Sequence, residues 1–192
     1  MQLFGSLIAA ASALLLASSA SAANYAGPAA KDSTIMRSTV SCPDCPESNC
    51  YKCTLGNEDT LKANTGGLAF IMSLIGFDHG LDGHSIVSCN VTVPAFTRLS
   101  PQEIGVNVYN GGAFDWDEST VTSETVPGPG DLIAQITVPS YGNIGTIDIT
   151  PACQAAVDGK FNIFFGSASG SYEFWSKDSG NPAILRAVTG IV

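Results

Sequence analysis

Alternation of apolar and polar residues dominates the chain after about its first thirty positions and predicts β-strands with one buried face. In SIVSCNVTV, the residues Val87, Cys89, Val91 and Val93 share one face, and polar residues occupy most of the other face. The segments EIGVNVY, DLIAQITV, GTIDIT, KFNIFF and SYEFWSK repeat this period of two. Further residues expected to face inward are Ile104, Val106, Val108, Leu132, Ala134, Ile136, Val138, Ile147, Ile149, Phe161, Ile163, Phe165, Tyr172 and Phe174.

One apolar segment, LAFIMSLIGF, has no polar face, which fits a central strand or, alternatively, a buried helix. Gly- and Pro-rich turns such as NTGG and VPGPGD separate the predicted strands. A single short helix is expected where Thr150 serves as cap and Pro151 takes the first helical position. The predicted fold class is therefore all-β: a jelly-roll-like antiparallel β-sandwich of about nine to ten strands.

The N-terminal segment 1–22 is predicted to be a signal peptide. Its apolar core from Leu7 to Leu16 is followed by Ala20-Ser21-Ala22, the small-x-small pattern of a signal peptidase site. This core is too short to span roughly 30 Å of hydrocarbon, which disfavours a membrane anchor. We interpret residues 23–31 as a loose leader and residues 32–192 as one domain, exported to the extracellular space.

The stretch CPDCPESNCYKC, from Cys42 to Cys53, contains four of the six cysteines and is compatible with metal binding or with disulfides. An even number of cysteines in an exported chain favours disulfides. The spacer Pro46–Asn49 is short for two zinc knuckles. We expect a disulfide-stapled insertion at 42–53. The preferred pairing has two local bridges among Cys42, Cys45, Cys50 and Cys53 and a long-range Cys89–Cys153 bridge, although the sequence does not determine connectivity.

The net charge of the chain disfavours some classes of partner, and a sequence motif predicts a glycosylation site. The net charge is −9, so nucleic acid and anionic membranes are unfavourable partners, and acidic polysaccharides are disfavoured. Asn90-Val91-Thr92 is an N-glycosylation sequon, and the alternation places Asn90 outward, beside an inward Cys89. A monomeric glycoprotein is expected.

Short motifs in a fixed order resemble a known family. They are DSTIMRS, with Asp32; the W-x-E motif of Trp116 and Glu118; and the closing segment YEFWSKDSGNPAIL, with Lys177 and Asp178. Together they resemble the DNRLRE-type secreted domains, which include family 96 carbohydrate-binding modules. The resemblance implies a jelly-roll sandwich that binds polysaccharide or serves as a non-catalytic extracellular module, with the cysteine-rich segment as an insertion.

Five residues are candidates for sugar binding. Trp175 is expected on the outer face of its strand, where an indole ring stacks against the C–H face of a sugar. The competing interpretation is that Trp175 packs within the protein, and for Lys177 we favour an ion pair with Asp178. Trp116 is interpreted as a core residue and Glu118 as a partner of nearby backbone. The remaining candidates are Tyr109, Tyr141 and Asn107.

Metal and catalytic sites receive less support from the sequence. The segment FDHGLDGH offers oxygen and imidazole ligands for calcium or zinc, although an Asp- and Gly-rich turn is the favoured interpretation. Both histidines lie in this segment and no nucleophile elbow accompanies them, so no catalytic residue and no cofactor is predicted, with calcium left open. The candidate ligands in this segment are Asp78, His79, Asp82 and His84, and a second acidic segment, DWDES, offers Asp115, Asp117 and Glu118 to calcium.

The favoured hypothesis is a secreted, non-catalytic protein that binds a neutral cell-wall or extracellular polysaccharide. The first alternative is a structural, adhesion or effector-like interaction module, which would expose an apolar patch around Ile86 and Ile133. The second alternative is a polysaccharide hydrolase or lyase.

Overall fold

The computed structural model describes residues 24–66, 68–81 and 85–190. The predicted signal peptide, Asp82 and His84 therefore lie outside the described residues. No helix in the described part of the chain is long and apolar enough to cross a membrane. The described elements are β1 (Asn24–Pro28), β2 (Lys31–Ser38), β3 (Thr60–Asn64), β4 (Ala69–Asp78), β5 (Ile86–Thr92), β6 (Ile104–Gly112), β7 (Leu132–Val138), β8 (Thr146–Asp148), α1 (Thr150–Gln154), β9 (Lys160–Ser169), β10 (Ser171–Trp175) and β11 (Ile184–Thr189).

The strands form two antiparallel sheets. The smaller sheet has the order β1-β11-β5-β8, and the larger, seven-stranded sheet has the order β10-β3-β4-β9-β6-β7, with β2 paired to β4. The predicted all-β sandwich with one short helix is confirmed. The structure describes eleven strands, slightly more than expected.

The first strand lies within the segment 23–31 that the sequence analysis interpreted as a loose leader, so that part of the prediction is wrong. Residues 24–28, predicted as part of a loose leader, pair antiparallel with β11 at the edge of the smaller sheet. Tyr25 packs against the main core, and its hydroxyl donates to the carbonyl of Asp78 at 3.1 Å. A short segment rich in small residues carries little periodic signal, and Pro28 is tolerated because it lies in an edge strand.

The main core lies between the two sheets. Inward residues of the larger sheet, including Ile75, Phe165 and Phe174, meet inward residues of the smaller sheet such as Val91 and Leu185. All five side chains are fully buried. The alternation in the sequence predicted the inward residues of β6, β9 and β10 correctly. Strand β9 is nevertheless buried on both faces, because Phe164 between the inward residues belongs to a second hydrophobic cluster.

Two inward predictions are wrong, and both follow from β-bulges. Val87 is 60% exposed because the ladder to β11 passes from Ser88 directly to Ile86, which turns Ile86 into the core instead. The β6–β7 ladder likewise skips Ile133, so Leu132 is exposed and Ile133 packs against the core. An extra residue in one strand resets the alternation, and a fixed period of two cannot anticipate it.

A second hydrophobic layer covers part of the outer face of the larger sheet. Strand β4 contains most of the LAFIMSLIGF segment, and from Met72 to Phe77 it is buried because both of its faces are covered. The cover on the outer face is the connection between β6 and β7, residues 113–131, which we call the covering segment. The cluster consists of Ile35, Met72, Leu74, Val121, Val126 and Phe164, with Tyr109, Phe114 and Trp116 packed against it.

Trp116 fastens the covering segment to the sheet. Its indole N–H donates to Oδ1 of Asn162 at 2.8 Å, and the amide of the buried Asn162 donates to the carbonyls of Gly112 and Phe114 at 2.9 Å. The ammonium of Lys31 lies 5.0 Å from the centre of the indole ring, within cation–π distance. Trp116 therefore has the structural role expected of it.

The cysteines form three bridges. Cys42 bonds to Cys50 and Cys45 to Cys53 within the insertion, and Cys89 bonds to Cys153 between β5 and α1. The structure thus contains the preferred pairing of two local bridges and one long-range bridge. Since every described cysteine is bridged, the insertion presents no thiolate for a metal.

Replacing both Cys89 and Cys153 by alanine should lower the free energy of unfolding by about 4 kcal/mol, because this bridge spans 64 positions of the chain. Chemical denaturation of the two proteins measures the difference. The Cys42→Ala/Cys50→Ala protein is the control. It should lose about 2 kcal/mol or less, because that bridge spans 8 positions and the overlapping Cys45–Cys53 bridge remains. Equal losses in the two variants would contradict this assignment.

Trp116→Phe should destabilise the protein by about 1–3 kcal/mol, because it leaves the buried Oδ1 of Asn162 without its donor. Trp175→Phe makes the same chemical change at an exposed position and should stay within about 0.5 kcal/mol of the unsubstituted protein. Thermal or urea unfolding compares them, and a Trp175→Phe loss as large as that of Trp116→Phe would refute the role of the indole N–H.

Candidate functional site

The outer face of the larger sheet is open at the β3–β10 pair. In their antiparallel register Trp175 faces Thr60 and Glu173 faces Lys62. The alternation buries Tyr172 and Phe174, so that Glu173 and Trp175 point outward. Trp175 is 38% exposed, and the indole has the outward orientation predicted for it.

A groove of about 480 Å³, open to solvent, lies beside this pair of strands. Its lining reaches Glu173, two residues before Trp175 on the same strand face, and does not include Trp175 itself. One wall comes from β3 and β10, with Lys62 and Glu173, and the other from the segment 97–101, with Arg98. The second wall is held by backbone pairing, because the amide of Thr97 donates to the carbonyl of Glu173 at 2.9 Å. Buried Phe96 anchors the same segment in the main core.

A polar network orients the carboxylate of Glu173. The hydroxyl of Thr60 donates to Oε1, and the hydroxyl of Thr97 donates to Oε2 at 3.4 Å. The ammonium of Lys62 lies 3.8 Å from Oε1. Because both charged groups are substantially exposed, this ion pair adds at most about 1 kcal/mol to stability and serves mainly to fix side-chain positions.

Tyr141 lies beside the second wall of the groove. Its backbone amide donates to the carbonyl of Ser100, a groove residue, at 2.7 Å. The side chain is 67% exposed, and the backbone has φ of 60°, a left-handed conformation that costs a non-glycine residue about 1 kcal/mol. The same loop holds the wall through Asn143, whose Oδ1 accepts from the amide of Phe96 at 2.7 Å.

Tyr109 and Asn107, two other candidates, are engaged in packing on the covered half of the sheet. The Tyr109 ring is half-buried against the second hydrophobic cluster, and it lies close to Gly166, where an added Cβ would come within 3.3 Å of the ring. Its hydroxyl accepts from the amide of Asn107 at 3.0 Å, and Oδ1 of Asn107 accepts from Gln135 at 3.1 Å. We therefore leave both residues out of the candidate sugar site.

Lys177, the fifth candidate, is held away from the groove by acidic side chains. Its ammonium lies 2.9 Å from Asp178 and 3.1 Å from Glu118, so the favoured ion pair with Asp178 is present and a second one accompanies it. Glu118 also accepts a hydrogen bond from the amide of Asp32 at 2.7 Å, the backbone contact expected of it. The positions that carry the family resemblance thus meet at one junction between β2, the covering segment and the end of β10.

The candidate metal ligands of the FDHGLDGH segment are only partly described. Asp78 is exposed at the end of β4, and His79 is buried, with Nδ1 accepting from the amide of Leu81 at 3.0 Å. This is the turn-type contact favoured for the segment. Neither residue belongs to a metal-ligating cluster of the described residues, and Asp82 and His84 lie outside them.

Asn90 is half-exposed in β5, and Cys89 beside it is fully buried, as the alternation predicted. Glycosylation of Asn90 stays a prediction.

The alternation in SYEFWSK placed Glu173 outward without assigning it to a site, and sequence reasoning missed the other polar groups of the groove: Lys62, Asn64, Thr97 and Arg98. The alternation in TLKAN, which turns Lys62 outward, was a further signal for part of this set. Sequence reasoning also missed that Asp32 meets Glu118 and Lys177 at the junction described above. The Asp32 side chain is 1% exposed there. Burial raises the pKa of the Asp32 carboxyl to about 6, against the lowering effect of a hydrogen bond from the backbone of Lys177.

Comparison with known proteins relates the chain to a secreted protein. No established family model matches it. An uncharacterized secreted protein from Arthroderma benhamiae is 49% identical over 160 residues, which cover 83% of this chain and 82% of that protein. The chain belongs to the same family as that secreted Arthroderma benhamiae protein.

Proposed function

We propose that the protein is a secreted, non-catalytic module that binds polysaccharide in the groove beside Trp175. The observation that carries the proposal is an outward indole next to a solvent-open groove lined with an amide, hydroxyls and charged groups. The flat C–H face of a pyranose ring packs on an aromatic plane, while its hydroxyls bond to polar groups at the side. Trp175 supplies the aromatic plane and Glu173 a polar group, because both side chains point outward from the same strand.

The charge of the whole molecule favours a neutral polymer. The groove contains Lys62 and Arg98 against the single carboxylate of Glu173, so it lacks the acidity of the molecule as a whole, whose net charge is −9. That overall charge disfavours an acidic polysaccharide at long range. A neutral glucan, mannan or chitin is therefore the expected ligand class.

The groove favours binding over catalysis. Glycoside hydrolysis usually requires a pair of carboxylates, and among the described residues that line the groove only Glu173 has one. Its two oxygens are already engaged by Thr60 and Thr97. The resemblance to DNRLRE-type domains also supports a non-catalytic role.

Extracellular location is supported by three observations. The chain begins with a signal-like segment, its described cysteines are all bridged, and its relative is named a secreted protein. The rival hypothesis of an interaction module relied on an outward patch around Ile86 and Ile133. Ile86 is buried and Ile133 packs against the main core, so that patch is not formed.

Trp175→Ala should weaken retention on the polysaccharide that the protein binds by about ten- to a hundredfold, because a buried aromatic contact contributes about 1.5–3 kcal/mol. The measurement is a pull-down with insoluble glucan, mannan and chitin, with bound and free protein quantified. Phe70→Ala removes another exposed aromatic ring, on β4, and should leave retention unchanged.

Two outcomes would count against the proposal. If the unsubstituted protein is retained on none of the polymers, the binding function fails. If Trp175→Ala is retained as well as the Phe70→Ala protein, the proposed location fails.

A further inference from the structure

Three carboxylates meet at the junction between β2, the covering segment and the turn after β10. They belong to Asp32, Glu118 and Asp178, and one oxygen from each lies within 4.8 Å of the others. These residues are far apart in the sequence, so the fold itself assembles the group.

The spacing of these oxygens suits a calcium ion. Calcium binds oxygen ligands at about 2.3–2.6 Å, so two oxygens on one ion are at most about 5 Å apart. Magnesium holds its ligands at about 2.0–2.1 Å, which limits the separation to about 4 Å and requires stricter geometry. Oxygens that lie within 4.8 Å of one another fit the reach of calcium, whose coordination is also more flexible than that of magnesium.

Asp32 provides independent support for a ligand. Its side chain is 1% exposed, and Oδ2 accepts from the backbone amide of Lys177 at 2.8 Å. The other oxygen, Oδ1, is buried and has no hydrogen-bond partner among the described residues. An unpartnered buried carboxylate oxygen is costly, and a cation that fills the coordination of this oxygen removes the cost.

The charges at the junction are not balanced by the protein. The ammonium of Lys177 contacts Glu118 at 3.1 Å and Asp178 at 2.9 Å, so one positive charge faces three carboxylates. A divalent cation compensates for the two negative charges that remain.

We propose that Asp32, Glu118 and Asp178 bind one calcium ion, with water completing its coordination. The ion would link β2, the covering segment and the turn that follows Trp175, so binding should stabilise the folded protein. Extracellular calcium modules bind with Kd of about 10⁻⁴–10⁻³ M, a range that suits three protein carboxylates. The proposal is independent of sugar binding.

The test uses the whole secreted protein after treatment with EDTA, with calcium chloride as the only added ligand. Isothermal titration calorimetry should show one site, and at a hundredfold excess over Kd the Tm should rise by roughly 5–10 °C. Magnesium at the same concentration should give a smaller rise. Asp178→Asn should lose the calcium-dependent rise. Asp44→Asn, the same change at an exposed position in the cysteine-rich insertion, should keep it.

A second pair of variants tests the role of Lys177. Lys177→Gln removes the ammonium that competes for Glu118 and Asp178, and should bind calcium at least about threefold more tightly. Lys52→Gln removes a lysine that is paired with Glu47 in the insertion, and should bind calcium as the unsubstituted protein does.

The assignment is overturned if calcium neither binds nor raises the Tm of the unsubstituted protein, since Lys177 alone would then satisfy the junction. It is also overturned if Asp178→Asn keeps the full rise, or if Lys177→Gln binds calcium no more tightly than Lys52→Gln.

Discussion

The fold depends on covering both faces of the seven-stranded sheet. Its inner strands carry large apolar side chains on each side, such as Ile75 toward the smaller sheet and Leu74 away from it. The smaller sheet buries the first set. The covering segment, fastened by the bond from Trp116 to Asn162, buries the second. Without this segment, a wide apolar surface would be left in contact with water.

The covering segment also divides the outer face by function. Where it lies on the sheet, Tyr109 and Asn107 are used for packing. Where it does not, Trp175 and the groove of Lys62 and Glu173 remain open. At the acidic junction, Lys177 ties the covering segment to the turn that follows Trp175 through its ion pairs with Glu118 and Asp178. Stability and the candidate binding surface therefore depend on the same tertiary contacts.

The sequence predicted the parts of this arrangement that follow a regular period. Inward Val106 and Phe174, and outward Trp175, came directly from alternation. Val87 and Leu132 did not, because bulges in β5 and β7 shift the pleat by one residue. The groove could not be predicted, because it requires β10 to pair with β3 and with the segment 97–101, contacts between distant parts of the chain. The missing polar face of LAFIMSLIGF indicated burial on both sides, but the sequence did not identify the covering segment as the part of the chain that buries the outer side.

The central claim is that the open half of this sheet is the binding surface, and its two tryptophans provide the most direct test. In a solution NMR titration with soluble glucan, mannan or chitin oligosaccharides, the indole N–H signal of Trp175 should shift, together with the amides of Lys62 and Arg98. The signal of Trp116, bonded to Asn162 under the covering segment, should stay in place. Shifts centred on the smaller sheet, or no shift with any of these sugars, would contradict the account.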